Sequence, residues 1–440
     1  MDDTLVVLMG ARIAGSIRRA ENNLLRFDYE AGYQSSSSAT PLSLSLPLAV
    51  KTHVDVPARR VVSNFLTGLL PDDSETTKRW AGFYQVRTSS PFFLLGTPVG
   101  RDCAGAISFC PPGGLSEFLA RGGRVTWLNE SQVADLLRDL RRDRTNVLGR
   151  DFAGQFSLAG AQAKIALVYE ESTGRWGRPF GTEPTNRILK PASAGWTDQD
   201  INEHLCLSAA GRAGLAVARS EIRRFGDQEV IVSHRYDRAR TPNGIVRIHQ
   251  EDLCQAMGIS PNDKYESQGG PSARSIAALF QRVMRPADAQ SATRAFADAL
   301  IWNWLIAGTD AHAKNYSVLL SGGQVRLAPL YDVSSILPYI GTRSPVDSRL
   351  IDQQAIRGAM KIGGRYEYMP VLNTWPHAAA DLGIDAGWLT ARAKSLAASA
   401  PGAFAAAATD PMIGAHQGQF ARDLVSRIAE RCAQCIRVLV

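Results

Sequence analysis

The sequence predicts an α+β fold in which strands dominate the first part of the chain and helices dominate the rest. Two observations support this prediction. Before residue 235, short runs that are either apolar or alternating, separated by turn and loop residues, are typical of strands. After residue 250, apolar residues recur at helical spacing, with Ala-rich runs at 287–301 and 388–409. The 440 residues are enough for roughly two to four domains.

The individual elements follow from local patterns. Residues 1–100 are predicted to be mostly β, beginning with strands at Thr4–Met9, Ile13–Ile17 and Leu24–Tyr29. The breaker Pro111-Pro112-Gly113-Gly114 marks a candidate boundary. Further predicted strands are Phe156–Leu158, Ile165–Tyr169, Arg187–Lys190 and Glu229–Val232. Helices are predicted at Asn129–Arg142 and Asn202–Ala213, before the helical region begins.

Composition and charge exclude several classes of protein. Hydrophobic residues make up 45% and charged residues 21%, which is typical of a globular chain rather than a disordered, collagen-like or coiled-coil one. No run of about 18 apolar residues predicts a membrane span. The acidic start Met1-Asp2-Asp3 is unlike a signal peptide, so we expect a cytoplasmic protein. The net charge of +7 suits an anionic partner such as nucleotide phosphates or DNA, without identifying one.

Two local clusters have an ordinary structural interpretation. Cys432 and Cys435 form a C-x-x-C, but a zinc site needs a second pair and a redox site needs a βαβ setting, so we interpret them as reduced structural thiols. The other four cysteines are scattered through apolar surroundings. Four arginines form a basic cluster: Arg138, Arg141, Arg142 and Arg144. They could contact DNA phosphates, although a solvated helix face is the favoured interpretation.

The strongest chemical signal is the stretch Thr309–Asn315 followed by Asp332. An Asp, an Asn five positions later and a second Asp form the protein-kinase arrangement of catalytic loop and metal-binding site. Asp310 would accept or orient the proton of an attacking hydroxyl, and Asn315 and Asp332 would offer Mg²⁺ the oxygen ligands it prefers. A hairpin predicted at 317–327 fits this order. The alternative is that Asp310 and Asn315 only cap a loop.

A kinase also needs a basic residue for the α- and β-phosphates and a loop that covers the triphosphate. Lys190 ends a predicted strand after a loop of small residues, which is the chain order of a kinase N-lobe. Glu203, on the next helix, could pair with Lys190, although a solvated Lys and an exposed Glu are the alternatives. The small residues 159–161 let backbone N–H groups approach phosphate. Neither a P-loop nor a dinucleotide-binding glycine motif occurs.

Several stretches together resemble one family, HipA, the serine/threonine kinase toxins of bacterial toxin–antitoxin pairs. The resemblance covers nearly the whole chain and lies in these stretches: Gly100–Ala106, Phe156–Gln162, Arg187–Pro191, His249–Gly258, Lys264-Tyr265-Glu266, Trp304–Asn315 and Leu330-Tyr331-Asp332. We therefore expect a protein-kinase-like fold in three regions. These are a β-rich N-terminal subdomain at 1–115, an N-lobe-like region with the phosphate loop at 116–240, and a helical C-lobe with the catalytic loop at 241–440.

Residue by residue, the resemblance implies Asp310 as the catalytic carboxylate, Asn315 and Asp332 as magnesium ligands and Lys190 as the phosphate-binding lysine. Ser157 would be the loop serine that these kinases autophosphorylate, which inactivates them. The remaining expected contacts to ATP come from the loop, the hinge and the catalytic loop: Ser157, Ala159, Gly160, Ala161, Gln162, His234, Arg235, Tyr236 and Lys314. The chain departs from the family pattern at His234, where we expect an acidic residue, and at Ala163-Lys164-Ile165, where we expect Glu-Lys-Thr.

The resemblance also implies partners. The expected ones are a HipB-like helix-turn-helix antitoxin, operator DNA through the antitoxin complex, and an aminoacyl-tRNA synthetase as substrate, with glutamyl-tRNA synthetase as the family's known target. Phosphorylation of that target would inhibit translation and cause growth arrest or persistence. A small-molecule or lipid kinase is an alternative, because the same Asp–Asn–Asp pattern serves those enzymes. A non-catalytic corepressor is a further alternative, and its signature would be the loss of Asp310, Asn315 or Asp332, which are all present.

Overall fold

The computed structural model describes residues 3–120, 122–143, 158–160, 162–193, 195–242, 244–368, 374–413 and 417–439. Within these ranges two β-sheets come first in the chain and a helical region follows, which confirms the predicted α+β class. None of the helices in these ranges is long and apolar enough to cross a membrane.

The first sheet is antiparallel and lies in what we call the N-terminal subdomain, residues 4–110. Its strands are β1 (Thr4–Met9), β2 (Arg12–Arg19), β3 (Leu25–Tyr29), β4 (Thr52–Val54) and β5 (Ile107–Cys110), in the order β4-β3-β2-β1-β5. The three strands predicted at the start of the chain are confirmed. Leu25, Phe27 and Tyr29 alternate into the core, as the strand period of two requires.

The prediction that residues 1–100 are mostly β is wrong for the segment between β3 and β5, apart from the short β4. Four helices lie there: α1 (Ala31–Gln34), α2 (Val61–Gly68), α3 (Ser74–Phe83) and α4 (Pro91–Leu95). In α2 the buried residues Val61, Val62, Phe65 and Leu66 recur at helical spacing rather than in alternation. The Asp73 side chain accepts a hydrogen bond from the Glu75 amide and so caps α3.

The second sheet has six antiparallel strands and resembles a kinase N-lobe in its strand–helix order. Its strands are β6 (Gly123–Leu128), β7 (Ile165–Glu170), β8 (Arg175–Gly181), β9 (Arg187–Lys190), β10 (Ser220–Phe225) and β11 (Gln228–His234), in the order β10-β11-β9-β7-β8-β6. The accompanying helices are α5 (Leu115–Ala120), α6 (Glu130–Arg142) and α7 (Gln199–Arg212). Of the predicted strand Phe156–Leu158, only Leu158 lies within the described residues, and it belongs to no strand.

The rest of the chain is mainly helical. Its strands form small antiparallel sheets: β12 (Arg238–Thr241) with β13 (Gly244–Arg247); β14 (His249–Asp252) with β15 (Ser317–Ser321) and β16 (Gln324–Leu327); and β17 (Arg357–Ile362) with β18 (Arg365–Glu367). The helices are α8 (Leu253–Met257), α9 (Ala273–Val283), α10 (Pro286–Ile306), α11 (Thr374–Leu382), α12 (Ala386–Ala407) and α13 (Gly418–Val438). Both Ala-rich helices and the 317–327 hairpin are confirmed.

The cysteines and the basic helix have structural surroundings. All six cysteines are free and buried, and burial raises the pKa of Cys432 to about 12 and that of Cys435 to about 11, so thiolate is scarce at neutral pH. On α6, Arg138 forms ion pairs with Asp135 and Asp227, and Arg141 donates to the Glu229 carbonyl. Arg144 lies outside the described residues.

The stretch His249–Gly258 anchors the N-terminal subdomain to the helical region. The buried Glu251 carboxyl group accepts hydrogen bonds from the Ser43 hydroxyl (2.5 Å) and the Leu44 amide (2.7 Å). His249 Nε2 donates to the Leu42 carbonyl at 2.9 Å. A Cβ on Gly105 would lie 2.8 Å from a backbone nitrogen of this stretch, so only glycine permits the approach. His249 and Glu251 of this stretch thus join two parts of the fold.

Candidate active site

The catalytic loop begins where α10 ends. Ala307 adopts a left-handed backbone conformation (φ 52°) that terminates the helix. The buried Arg431 guanidinium donates to the carbonyls of Trp304 (2.8 Å) and Tyr368 (2.6 Å), so α13 holds the end of α10 in place. The loop from Gly308 to Asn315 therefore starts from a fixed point.

Asp310 is the exposed carboxylate of this loop, with 63% of its side chain accessible. The Tyr265 hydroxyl donates to its Oδ1 at 2.5 Å, which leaves Oδ2 without a side-chain partner among the described residues. The Asn315 Nδ2 donates to the Asp310 backbone carbonyl at 2.7 Å. That bond orients the Asn315 amide so that its oxygen remains available. Both residues are thus oriented by contacts within the site.

Lys190, Glu203 and Asp332 form one cluster, as the sequence predicts for the first two. Lys190 Nζ lies 2.8 Å from Glu203 Oε1 and 2.9 Å from Asp332 Oδ1. Burial alone would lower the pKa of Lys190, but the two carboxylates outweigh burial and raise it. Burial likewise opposes ionisation of Asp332, yet Lys190 and Lys164 hold its pKa well below the usual range. The cluster therefore keeps one lysine charged beside an ionised aspartate.

The two halves of the site meet at Tyr331. Its hydroxyl donates to the Lys314 carbonyl at 2.7 Å, which links the residue before Asp332 to the residue before Asn315. Asp332 adopts a left-handed backbone (φ 57°), a conformation that Asp tolerates better than most residues. The structure thus brings Lys190, Asp332, Asn315 and Asp310 into one cleft.

The phosphate loop lies next to this cluster, although Ser157 and Ala161 fall outside the described residues. Lys164 Nζ donates to the Ala159 carbonyl at 2.6 Å. Gly160 has a backbone φ of +106°, which residues with a side chain rarely adopt, so glycine is favoured there. Burial and the neighbouring Lys190 lower the pKa of Lys164 to about 8. Gln162 is used internally, because its Nε2 donates to the Pro191 carbonyl at 3.1 Å.

The residues present fit a magnesium ion that is bound together with a nucleotide. Asp332 offers a second carboxylate oxygen beyond the one that Lys190 contacts, and Asn315 offers its free amide oxygen. No three His, Cys, Asp or Glu side chains converge on a metal site in the described ranges. One carboxylate and one amide suffice for Mg²⁺ when phosphate oxygens and water complete its coordination.

Two of the three backbone amides of the predicted hinge are already hydrogen-bonded within the fold. The amide N–H groups of His234 and Arg235 donate to the backbone carbonyls of Arg219 (2.8 Å) and Asn186 (3.1 Å), respectively. The Arg235 side chain is 1% exposed and pairs with Asp237 and Asp102, so it ties the hinge to the N-terminal subdomain.

The third hinge residue, Tyr236, differs from His234 and Arg235 in its backbone amide. Its N–H has no backbone acceptor among the described residues. Its hydroxyl donates to Gln250 at 2.5 Å. Of the three predicted hinge residues, Tyr236 is therefore the one whose amide is available for the expected adenine contact.

One predicted nucleotide contact has another role in the structure. Lys314 is expected from the resemblance to contact ATP, but its buried Nζ pairs with Asp72 of the N-terminal subdomain. The side chain of Lys314 is therefore engaged within the fold, and its contribution to the site passes through the neighbouring Asn315.

The sequence assigns no functional role to four residues that lie near the site: Tyr265, His312, Lys164 and Asp72. Tyr265 orients Asp310, and its ring packs edge-on against His312 with centroids 5.1 Å apart. His312 Nδ1 is buried without a partner among the described residues. Lys164 contacts the phosphate loop at Ala159, and Asp72 pairs with Lys314. The position of His312 inside the catalytic-loop motif is a signal that could have identified it, but no local signal identifies Asp72.

Comparison with known proteins agrees with this architecture. A family model described as HipA N-terminal domain matches residues 5–110, and one described as HipA-like C-terminal domain matches residues 156–404. The putative kinase Y4mE of Sinorhizobium fredii is 34% identical over 343 residues, which cover 76% of this chain and 78% of the relative. The serine/threonine-protein kinase toxin HipA of Shewanella oneidensis is 28% identical over 317 residues, covering 69% of this chain and 68% of the relative.

A solved structure shares the fold over its whole length. It is HipA from the Shewanella oneidensis MR-1 complex of HipA, HipB and operator DNA, with a TM-score of 0.80, 23% identity, and coverage of 99% of this chain and 98% of that one. The C-terminal family model alone matches more than half of the chain. On these matches, the chain belongs to the HipA family of serine/threonine-protein kinase toxins.

Proposed function

We propose that the chain uses Mg²⁺–ATP to phosphorylate a serine or threonine of a protein, with Asp310 as the catalytic carboxylate. The observation that carries this proposal is the Lys190 ammonium held between Glu203 and Asp332, next to the loop that presents Asp310 and Asn315. Each group has a task in phosphoryl transfer, which depends on positioning and on neutralising phosphate charge.

The side chains divide the reaction as follows. Asp310 Oδ2 accepts a hydrogen bond from the substrate hydroxyl and takes its proton as the hydroxyl oxygen bonds to the γ-phosphorus. The bond from that phosphorus to the β,γ-bridging oxygen breaks, and ADP leaves. Lys190 supplies positive charge for the α- and β-phosphates, and Lys164 supplies a second ammonium beside the loop. Asn315 and Asp332 would hold Mg²⁺, which neutralises phosphate charge when bound. Tyr265 keeps the Asp310 carboxylate oriented through Oδ1.

The proposed substrate is an aminoacyl-tRNA synthetase, glutamyl-tRNA synthetase first, and the consequence is inhibited translation with growth arrest or persistence. Family membership supports this choice. Incubation of the purified chain with labelled ATP and a lysate from its host, followed by identification of the labelled protein, tests it. Label in a synthetase, absent with Asp310→Asn, is the expected result. Label only in a small molecule or a lipid would contradict it.

A helix-turn-helix antitoxin is the proposed partner, and operator DNA is bound through their complex in the cytoplasm. The HipA relative of known structure occurs with HipB and operator DNA, which supports this proposal. A net charge of +7 spread over 440 residues gives only weak, salt-sensitive attraction to DNA. Tight sequence-specific binding of the operator by this chain alone at physiological salt would contradict the proposal.

Ser157 is the proposed site of self-inactivation. A phosphate adds about −1.5 to −2 charges at neutral pH, which would repel ATP phosphates beside the loop. Mass spectrometry of protein expressed with and without Asp310→Asn tests this idea. Phosphate on Ser157 only when Asp310 is intact is expected, together with lost ATP binding. Unimpaired ATP binding by the phosphorylated form would overturn it.

Asp310→Asn tests the catalytic assignment directly. The change keeps the size of the side chain and its hydrogen bond with Tyr265, but removes the proton-accepting charge. Loss of general-base help costs roughly 10²–10⁴-fold in rate. We expect kcat to fall by that factor while the unfolding midpoint stays close to that of the wild type. Wild-type turnover in this variant would refute the proposed role of Asp310.

A further inference from the structure

A short segment of the N-terminal subdomain reaches the kinase cleft and touches both of its loops. Pro71 and Asp72 lie between α2 and α3. Pro71 forms a parallel bridge with Gly160 of the phosphate loop, and the Asp72 amide lies 3.4 Å from the Gly160 carbonyl. The Asp72 side chain contacts two lysines, Lys264 and Lys314, which lie next to the catalytic residues in the chain. The segment therefore connects two loops that are distant in sequence.

The charges of this contact are largely withdrawn from water. Asp72 Oδ1 pairs with Lys314 Nζ, and Oδ2 lies 2.8 Å from Lys264 Nζ. Only 3% of the Lys314 side chain and 21% of the Asp72 side chain are exposed. Burial alone would raise the pKa of Asp72, but the two ammonium groups lower it to about 2. Asp72 therefore stays ionised throughout the pH range in which a kinase works.

Each lysine stands one residue before a group that acts in the cleft. Lys264 precedes Tyr265, whose hydroxyl holds the Asp310 carboxylate at 2.5 Å. The Lys264 carbonyl also accepts the Ala313 amide of the catalytic loop at 3.2 Å. Lys314 precedes Asn315, the proposed magnesium ligand. One carboxylate thus fixes both the residue that orients the proton acceptor and the residue that carries the amide ligand.

Loss of the Asp72 charge would leave Lys314 buried without its partner. An uncompensated buried charge moves or attracts another partner, because leaving it unpaired is strongly unfavourable. Asp252 is close enough for Lys314 to lower its pKa against the rise, to about 6, that burial produces. Movement of Lys314 toward Asp252 would displace Asn315 by its backbone. Misplacement of about 1 Å in an active site can cost roughly 10²-fold in rate.

We propose that Asp72 of the N-terminal subdomain is a positioning residue of the kinase, which holds the catalytic loop in register with the phosphate loop through Lys314 and Lys264. This inference rests on the proposed roles of Asp310 and Asn315. It makes the N-terminal subdomain a part of the catalytic apparatus, rather than only a surface for partners.

The test compares Asp72→Asn with Asp73→Asn in the full chain, by steady-state rates of phosphorylation of the protein substrate that labelled ATP identifies in the lysate. Asp73 is the matched control, because it is the next residue and caps α3 without contacting either loop. We expect Asp72→Asn to lower kcat by roughly 10- to 100-fold with less than about a threefold change in the KM for ATP. Asp73→Asn should keep the wild-type kcat, and Asp72→Glu should recover part of the loss.

Two further variants separate positioning from a merely structural role. Lys264→Met removes only the more exposed ion pair and should lower kcat by about three- to tenfold, even if Asp72→Asn fails to fold. Asp72→Asn combined with Lys314→Met should lose at most about threefold more than the larger single loss, because the two residues act as a unit. Multiplied losses in the double variant, or equal kcat in Asp72→Asn and Asp73→Asn, would overturn the inference. Full activity of Asp310→Asn would instead refute the proposed function beneath it.

Discussion

Replacement of Glu203 by Gln tests the cluster on which the kinase cleft depends. Lys190 Nζ lies 2.8 Å from Glu203 and 2.9 Å from Asp332, and only 8% of the Lys190 side chain and 4% of the Glu203 side chain are exposed. Removing one partner of a buried ion pair destabilises a protein by roughly 3–5 kcal/mol. Asp332 remains as a second partner here and Gln can still accept a hydrogen bond, so we expect about half of that, roughly 2 kcal/mol.

The same change should impair ATP use. Without Glu203, Lys190 is held by Asp332 alone, and the lysine then competes with Mg²⁺ for that carboxylate. If the transition state loses the same roughly 2 kcal/mol of stabilisation as the folded state, kcat/KM for ATP falls by roughly 30-fold. Denaturant unfolding measures the first quantity, and initial rates at varied Mg²⁺–ATP measure the second. Excess Mg²⁺ should restore part of the activity.

Controls make this prediction refutable. Glu170→Gln removes an exposed ion pair with Arg175 in the same sheet and should leave the free energy of unfolding close to that of the wild type. In a Lys190→Met background, Glu203→Gln should have little further effect on kcat/KM, since its partner is gone. Additive losses in the double variant would show that Glu203 acts through some other group, and the reasoning would fail.

Three other variants test single groups. Asp332→Asn should weaken Mg²⁺-dependent ATP binding, measured by calorimetry with and without Mg²⁺, and unchanged affinity would exclude a ligand role. Lys164 has a pKa of about 8, so the KM for ATP should rise as its charge is lost above pH 8, and Lys164→Met should abolish that rise. Burial raises the pKa of Glu251 from 4.5 to about 8, so the folded state binds the extra proton and the free energy of unfolding should fall as pH rises through that window. The slope from this group is at most about 1.4 kcal/mol per pH unit, and a pH titration of Glu251→Gln should lack it.

The sequence predicts most of this fold where the pattern is local. A short apolar run predicts β1, alternation predicts β3, and a run stopped by Pro191 predicts β9. Helical spacing predicts α7, and Ala-rich helical patterns predict α10 and α12. The prediction of mostly β structure fails at 31–95, because short helices such as α4 hold too few residues for a helical period to be recognised. The spacing of Asp310, Asn315 and Asp332 also lies within one short segment, so the amino-acid sequence alone indicates their shared chemistry.

Contacts between distant segments were decided by the tertiary structure alone. The Asp72–Lys314 and Asp72–Lys264 pairs join residues 242 and 192 positions apart, and the Glu251–Ser43 bond spans 208 positions. No periodicity predicts such partners, because which carboxylate meets which lysine depends on how whole subdomains pack. Packing then sets the pKa of each carboxyl group: the two lysines lower that of Asp72 to about 2, whereas burial raises that of Asp252 to about 6. The sequence by itself determined the chemistry that is present, and packing determined which residues hold it in position.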